Sequence, residues 1–337
     1  MKEEIIVSGR MNHLIDPQLN IWHWQIPLYL FVGGLAAGIL FFAALYYILG
    51  KEKDFPAAVK WAPMLTPFLL IIGLSALFLD LNHKLYFWRL YTSIKLQSPM
   101  SWGAWTLMVV TPLSFIWTAI YLKNLFPFIN WKNKLVASFL QIFLVKTELE
   151  ESNWEWKKGL KELETFFIRY KLVLAWIMLI YSIILGIYTG ILLSAFNARP
   201  LWNTSILGPL FLASGLSTGA ATIMLLSRNH IERITFSRID LMLIGIELFV
   251  IIHMFMGFMA STQVQIDAAK LFLGGPYTMV FWIFIFVLGL VLPAILEILE
   301  LRKYHIPAWI PSLLVISGGI FLRFVIVYAG QASRYLY

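Results

Sequence analysis

Apolar runs of roughly 18 residues or more, each long enough to cross a bilayer, recur from one end of this chain to the other, and a soluble core has no use for so many. Eight are legible in the 337 residues: Gln25–Leu49, Trp61–Leu81, Trp102–Tyr121, Tyr170–Ser194, Ser205–Ser227, Ile239–Thr262, Tyr277–Leu299 and Ile310–Ala329. Backbone groups in hydrocarbon find no water to bond, so runs of this length satisfy themselves as α-helices. The expected fold is all-α, a polytopic membrane protein of eight transmembrane helices. With 60% hydrophobic and only 13% charged residues, the chain falls outside the range of ordinary soluble domains.

Lysine and arginine predict the orientation. The segments 50–60, 123–171, 228–238 and 302–303 hold 3, 9, 3 and 2 of them, 17 in all, against 8 on the opposite side including both tails. The positive-inside rule places those four connections in the cytoplasm and both termini outside. The same bias accounts for the net charge of +8, and no basic groove motif points to nucleic acid. The first 24 residues are charged and have no apolar h-region ahead of Gln25, so the first helix itself is expected to direct insertion. The chain then divides into an outer segment 1–24, helices one to three in 25–123, a cytoplasmic connection 124–169, helix four in 170–194, helices five to eight in 205–329, and an outer tail 330–337. Within the connection, Leu135–Val145 is apolar but too short to span; with Lys132, Lys134 and Lys146 beside it, it reads as an interfacial helix. The glutamates from Glu148 to Glu164 read as a solvated helical face.

The chain has no cysteine, which excludes a thiolate-bound iron–sulfur cluster, a covalently attached haem and a disulfide. Of six histidines only His253 lies well inside a span, so no histidine pair is available to hold a haem between helices. No metal site is expected in this chain.

Gly34-Leu-Ala-Ala-Gly38 in the first span matches Gly215-Leu-Ser-Thr-Gly219 in the fifth. Two small-residue stripes on helices of the same direction suggest two four-helix halves in parallel relation, although such stripes also simply let membrane helices pack closely.

Two polar groups stand at the mouths of the first two spans. Asn20 and His23 are three apart and share a helix face if the first helix begins early, with Trp22 and Trp24 alternating beside them. Asp80 and His83 close the second span, followed by Lys84 and Arg89. A neutral imidazole accepts a proton near neutral pH, a carboxamide orients a carbonyl or hydroxyl, and a carboxylate relays protons to solvent. Quinol oxidation needs this set, because two protons leave with two electrons. The plainer reading is an interfacial aromatic belt around Trp22 and Trp24, an Asp80–Arg89 ion pair, and Tyr188 in the fourth span as an anchor. Deeper, Asp240, Glu247 and His253 lie in the sixth span and Arg323 in the eighth. Such residues face a cavity or one another, so they form either a buried ion pair or part of a proton path.

Several strings resemble one family in the right order: Gln25-Ile-Pro-Leu-Tyr-Leu-Phe-Val-Gly-Gly-Leu-Ala-Ala-Gly38, Ser98-Pro-Met-Ser-Trp-Gly-Ala-Trp105, Arg199-Pro-Leu-Trp-Asn-Thr-Ser205 with Phe211-Leu-Ala-Ser-Gly-Leu-Ser-Thr-Gly219, and Gly318-Gly-Ile-Phe-Leu-Arg323 through Ala329-Gly-Gln331. They look like the NrfD-type, polysulfide-reductase membrane-subunit family. The resemblance implies a haem-free subunit that oxidises menaquinol at the outer face of a prokaryotic cytoplasmic (inner) membrane. Its implied partners are a ferredoxin-like four-cluster [4Fe-4S] subunit and, beyond it, a molybdopterin catalytic subunit. It also implies quinone binding by Asn20 and His23 with Tyr188; read from the residues themselves, Trp24 would wall the ring pocket and Asp80 would join His23 as a proton acceptor. Family members commonly read Asp-Leu-Gly-Arg-Pro where this chain reads Asp80-Leu-Asn-His-Lys84, so the aspartate is kept and the loop around it differs. Quinone reduction in the opposite direction, a secondary transporter binding substrate at Arg323 and Glu247, and a redox-inert anchor are the competing readings.

Overall fold

All eight apolar runs become helices, and their boundaries follow from where backbone groups find partners. A computed structural model describes residues 21–127, 143–146, 154–302 and 304–335. The spans are α1 (Gln25–Ile48), α2 (Ala57–Asp80), α3 (Pro99–Leu125), α4 (Lys171–Ser194), α5 (Leu207–Leu226), α6 (His230–Met259), α7 (Val280–Leu301) and α8 (Trp309–Ala332). Short helices at Arg89–Thr92, Lys158–Arg169 and Gln263–Lys270 lie in the connections.

Helix α1 stops at Gly50, whose φ of 70° is cheap only for glycine; there the Lys51 and Gly50 amides turn back to the Tyr46 and Tyr47 carbonyls. The start of α2 is irregular, a π turn at Ala57–Trp61 and a 3₁₀ turn at Ala62–Leu65, because Pro63 and Pro67 donate no amide hydrogen. The carbonyls this orphans are met from α3. Val59 O accepts the Trp117 indole at 3.0 Å, and Pro63 O accepts the Thr118 hydroxyl at 3.2 Å as well as its own neighbour Thr66 at 2.7 Å. Inside a membrane such repairs are obligatory.

Helix α6 begins at His230, nine residues before the apolar run expected at Ile239. Its early charges are satisfied inside the protein. Asn229 caps it by accepting from Ile231 N at 3.0 Å. Glu232, fully buried, accepts from the amides of Ala57 at 3.3 Å and Ala58 at 2.9 Å and from the Ser227 hydroxyl at 3.0 Å, so it caps α2. Arg233 pairs with Glu300 of α7 at 3.1 Å.

The helices form two four-membered groups. In the first, α1 packs on α2 and α4, and α3 on α2 and α4; in the second, α5 packs on α6 and α8, and α7 on α6 and α8. The groups meet where α1 faces α5, with α4 against α5 on one side and α8 against α1 on the other. Each half therefore repeats the other's order about an axis through the α1–α5 contact. At that contact the two glycine stripes face each other: a Cβ on Gly38 would lie 2.1 Å from Gly215 O, and one on Gly219 2.6 Å from Gly38 C. The start of α1 and the end of α8 share one face, here the near face, because Gln331 bonds the backbone of residues 21 and 22.

In the long connection the structure corrects one expectation. Leu144–Lys146 (β1) is a strand, paired antiparallel with Trp154–Trp156 (β2), so no interfacial helix runs to Val145. An apolar strand edge finds hydrogen bonds in the ladder that a short helix end would lack. Residues 135–142 of that segment lie outside the described residues. Helix Lys158–Arg169 is amphipathic, with Leu163, Phe166 and Ile168 half exposed on a helix that buries no side chain, and it meets the glutamate-rich segment only from Lys158 onward.

Candidate functional site

The near-face mouth of the first half is assembled from four helices. Before α1 the chain is held by Gln331 of α8, whose Oε1 accepts from Ile21 N at 3.0 Å and Trp22 N at 2.9 Å and whose Nε2 donates to Trp22 O at 2.8 Å. Trp22 packs inward against Phe196, ring centroids 4.9 Å apart, and Trp202, 5.1 Å. The clamp leaves the next two residues, His23 and Trp24, exposed at the mouth. Asn20 lies outside the described residues.

Asp80, half buried at the end of α2, comes within electrostatic range of His23. With His83 and Lys84 it lines a cavity of about 520 Å³. Arg89 does not pair with it; the guanidinium stacks over Tyr86 at 4.8 Å and Trp88 at 5.7 Å. Asp80 is thus free of the cation that would have made it a plain loop anchor.

Below the mouth, Tyr29 of α1 and Tyr188 of α4 bring their hydroxyls near each other, with Tyr91 near Tyr29. Tyr188 is 8% exposed and lies against Gly103 of α3, where a Cβ would sit 1.9 Å from the ring carbon bearing its hydroxyl. It is one wall of a largely apolar cavity of about 400 Å³ between α3 and α4, with Trp102, Thr106, Ile184, Ile187 and Ile191. Burial pushes the Tyr91 phenol above its ordinary value. Tyr29 and Tyr91 carry no mark in the sequence; a lone tyrosine in an apolar run gives no signal of what it faces.

The second half repeats the cavity without the site. A groove of about 390 Å³ between α7 and α8 is lined by Phe321, Phe324, Val325 and Tyr328 at the spacing of Ile184, Ile187, Tyr188 and Ile191, and by Tyr277 and Val280 at the spacing of Pro99 and Trp102. This match supports an internal repeat, with His23, Asp80 and Tyr188 in one copy.

The deep charged residues are brought together, except one. Asp240, fully buried, accepts from the Ser217 hydroxyl at 2.6 Å and lies close to Glu297 on α7. Glu247, 3% exposed, lies in the field of Arg323 and within reach of Ser214. Arg323, fully buried, donates to the Ser214 hydroxyl, to Phe211 O at 3.0 Å and to Gly319 O at 3.3 Å. His253 does not join them. It is exposed on the outer side of α6, its Nδ1 bonded to Phe249 O at 2.8 Å, because six residues beyond Glu247 turn a helix to another face. Among the described residues no group of three or more histidine, cysteine or carboxylate side chains is arranged to hold a metal ion.

An eight-helix membrane bundle with titratable side chains at one mouth and two tyrosines beneath them defines the class. The sequence profile described as "Polysulphide reductase, NrfD" matches residues 13–333, and the protein belongs to that family. It is similar to a polysulfide reductase subunit of Wolinella succinogenes, 29% identical over 326 residues that cover 92% of this protein and 94% of the relative. It is likewise similar to protein NrfD of Escherichia coli, 29% identical over 327 residues (93% and 96%), and to a protein NrfD homolog of Haemophilus influenzae, 26% identical over 325 residues (93% and 95%).

Proposed function

We propose that this protein is the quinone-binding membrane subunit of a multisubunit respiratory oxidoreductase. It oxidises menaquinol at the near face, which the lysine and arginine bias makes the outer face of a prokaryotic cytoplasmic membrane. Electrons leave to a docked iron–sulfur partner of the [4Fe-4S] ferredoxin type and thence to a molybdopterin catalytic subunit, as in a polysulfide- or thiosulfate-type reductase. The relatives' names, a reductase subunit among them, support the assembly. The observation that carries the site is the convergence of His23 and Asp80, from two helices, at one mouth above the Tyr29–Tyr188 pair.

The residues fit a quinone. An apolar, tryptophan-walled cavity of about 400 Å³ suits a ring and tail, and the Tyr188 hydroxyl on its wall suits a ring oxygen. A bound quinol supplies two electrons and two protons. Tyr188, backed by Tyr29 and wedged on Gly103, holds the ring oxygen by its hydroxyl, and Asn20 and Trp24 are assigned to the rest of the ring. His23 takes a proton on its imidazole and Asp80 passes one to the polar cavity it shares with His83, which opens to solvent.

In the purified complex, His23→Ala is expected to abolish quinol-dependent turnover while the partner enzyme keeps its activity with an artificial dye. Unchanged quinol turnover in that variant rejects the site, and normal electron transfer after loss of both His23 and Asp80 would make the protein an inert anchor.

A further inference from the structure

The second half carries no counterpart of His23 and Asp80 in its cavity, yet it contains a cluster of buried carboxyl oxygens without hydrogen-bond partners. Glu297, fully buried in α7, has both carboxyl oxygens without a donor, and so do Asp240 Oδ2 and Glu300 Oε2; the Ser237 hydroxyl beside them is also unpartnered. Carboxyl groups so placed inside a membrane are retained for use, since each unmet oxygen costs free energy in an apolar bundle.

The closeness of Asp240 and Glu297 points to what they hold. Two ionised carboxylates are acceptors only and repel; side by side in an apolar interior they are stable only with a proton on one of them. Among the described residues no cation pairs with either. From α5 comes the Ser217 hydroxyl, already donating to Asp240 at 2.6 Å. On α6 Arg233 is engaged by Glu300 at 3.1 Å, and on α8 Arg323 donates to Ser214 and two carbonyls in the field of Glu247, its Nε unpartnered.

The cluster is also one-sided. Arg233 and Glu300 stand at the far face, the side opposite His23, with side chains 30% and 6% exposed. From there Glu300 acts on Glu297 and Glu297 lies close to Asp240, while Glu247, in the field of Arg323, stands deeper on α6. Asp240 and Glu247 are two helical turns apart on one face of α6, about 10 Å at 1.5 Å per residue. Beyond Arg323, toward the near face, Leu207, Leu210, Phe211 and Ile326 are buried and apolar. The guanidinium itself abuts α1, 3.3 Å from where a Cβ of Gly34 would stand.

We propose that Asp240 and Glu297 form a proton-binding site, loaded from the far face past the Arg233–Glu300 pair. A proton enters from water, is held on one of the two carboxyls, and leaves by the same entrance; no electron moves and no bond to carbon changes. The buried apolar residues beyond Arg323 separate the site from the near face. The inference stands on the second half alone and does not depend on quinone binding in the first.

The test is infrared spectroscopy of the purified full-length protein at neutral pH, in ordinary and in deuterated buffer. The expected spectrum contains a protonated-carboxyl C=O band that shifts on deuteration and is lost in Glu297→Gln or Asp240→Asn. Glu300→Gln, at the entrance, should keep the band and slow its deuteration. A band unchanged in both variants overturns the assignment, and a band that fails to shift in deuterated buffer shows a sealed structural pair. Should the variants not fold, dicyclohexylcarbodiimide, which attacks protonated carboxyls in apolar surroundings, is applied to the wild-type protein. An adduct on Glu297 or Asp240 by mass spectrometry supports the site, and adducts on neither reject it.

Discussion

Replacing Gly38 by alanine strikes the contact that joins the two halves. The added Cβ would sit 2.1 Å from Gly215 O, 2.9 Å from Gly215 C and 3.2 Å from Gly219 Cα. Ordinary contact needs about 3.5 Å, so α1 and α5 must part by roughly an ångström or more, which forfeits a quarter to a half of the dispersion energy along the seam. Overpacking a core costs about 1–3 kcal/mol, and the upper end applies here because the obstacle is a backbone carbonyl that cannot rotate away. Alanine returns about 0.5–1 kcal/mol of helix propensity, for a net loss of about 2 kcal/mol. Gly33→Ala is the control: it adds the same methyl group to the same helix with nothing within 4 Å, so it gains the propensity term alone. Unfolding of the two variants in detergent should therefore separate them by about 3 kcal/mol. Equal stability in both would refute the argument that the glycine stripes set the distance between the halves.

Gly103→Ala, which drives a methyl group into the Tyr188 ring, should lower quinol-dependent turnover of the complex while dye-linked activity persists, and Tyr188→Phe should lower it through the lost hydroxyl alone; full turnover in both removes Tyr188 from the site. Glu232→Ala strips the cap from α2 and leaves two buried amides unpaired, at about 1–3 kcal/mol each, so thermal unfolding should come markedly earlier, and Glu232→Gln should recover part of the loss. Glu155 is held below the ordinary glutamate range by the hydrogen bond from Lys161 and the charge of Lys123, while Lys161 is held above its own range by Glu155. A depressed carboxylate contributes above its unfolded value and loses that as pH falls through the folded one; a raised ammonium contributes below its unfolded value and loses that as pH rises through the folded one. Hydrogen exchange of the Trp154–Trp156 amides, corrected for intrinsic rates, should therefore be slower in wild type than in Glu155→Gln between the ordinary glutamate and lysine ranges, with the difference vanishing at lower pH.

The spans were legible because hydrocarbon leaves the backbone few options: wherever apolar residues ran on for the width of a bilayer, a helix resulted, and most ends fell within a few residues of expectation. The beginning of α6 was not, since Glu232, Arg233 and Arg238 look like a loop until Glu232 is seen capping α2 and Arg233 pairing with Glu300. Depth along a helix could be read from sequence but the face could not be weighed against neighbours, so His253 was grouped with Glu247 although it faces outward. Partners distant in sequence were invisible for the same reason: Glu297 stands 57 residues from Asp240, and only the fold brings the two together. At the mouth, the composition of the α1 and α2 ends suggested the chemistry, whereas Tyr29 and the release of Asp80 from Arg89 needed coordinates.

The central claim is a quinone site at the near-face mouth of the first half, and binding tests it without any partner. Menaquinone bound to the purified protein is measured by extraction and by quenching of intrinsic fluorescence with a quinol-site inhibitor, in wild type, His23→Ala and Tyr188→Phe. The account predicts tight binding in wild type, lost in His23→Ala and weakened in Tyr188→Phe. Equal binding in all three, or no quinone in any of them, would contradict it.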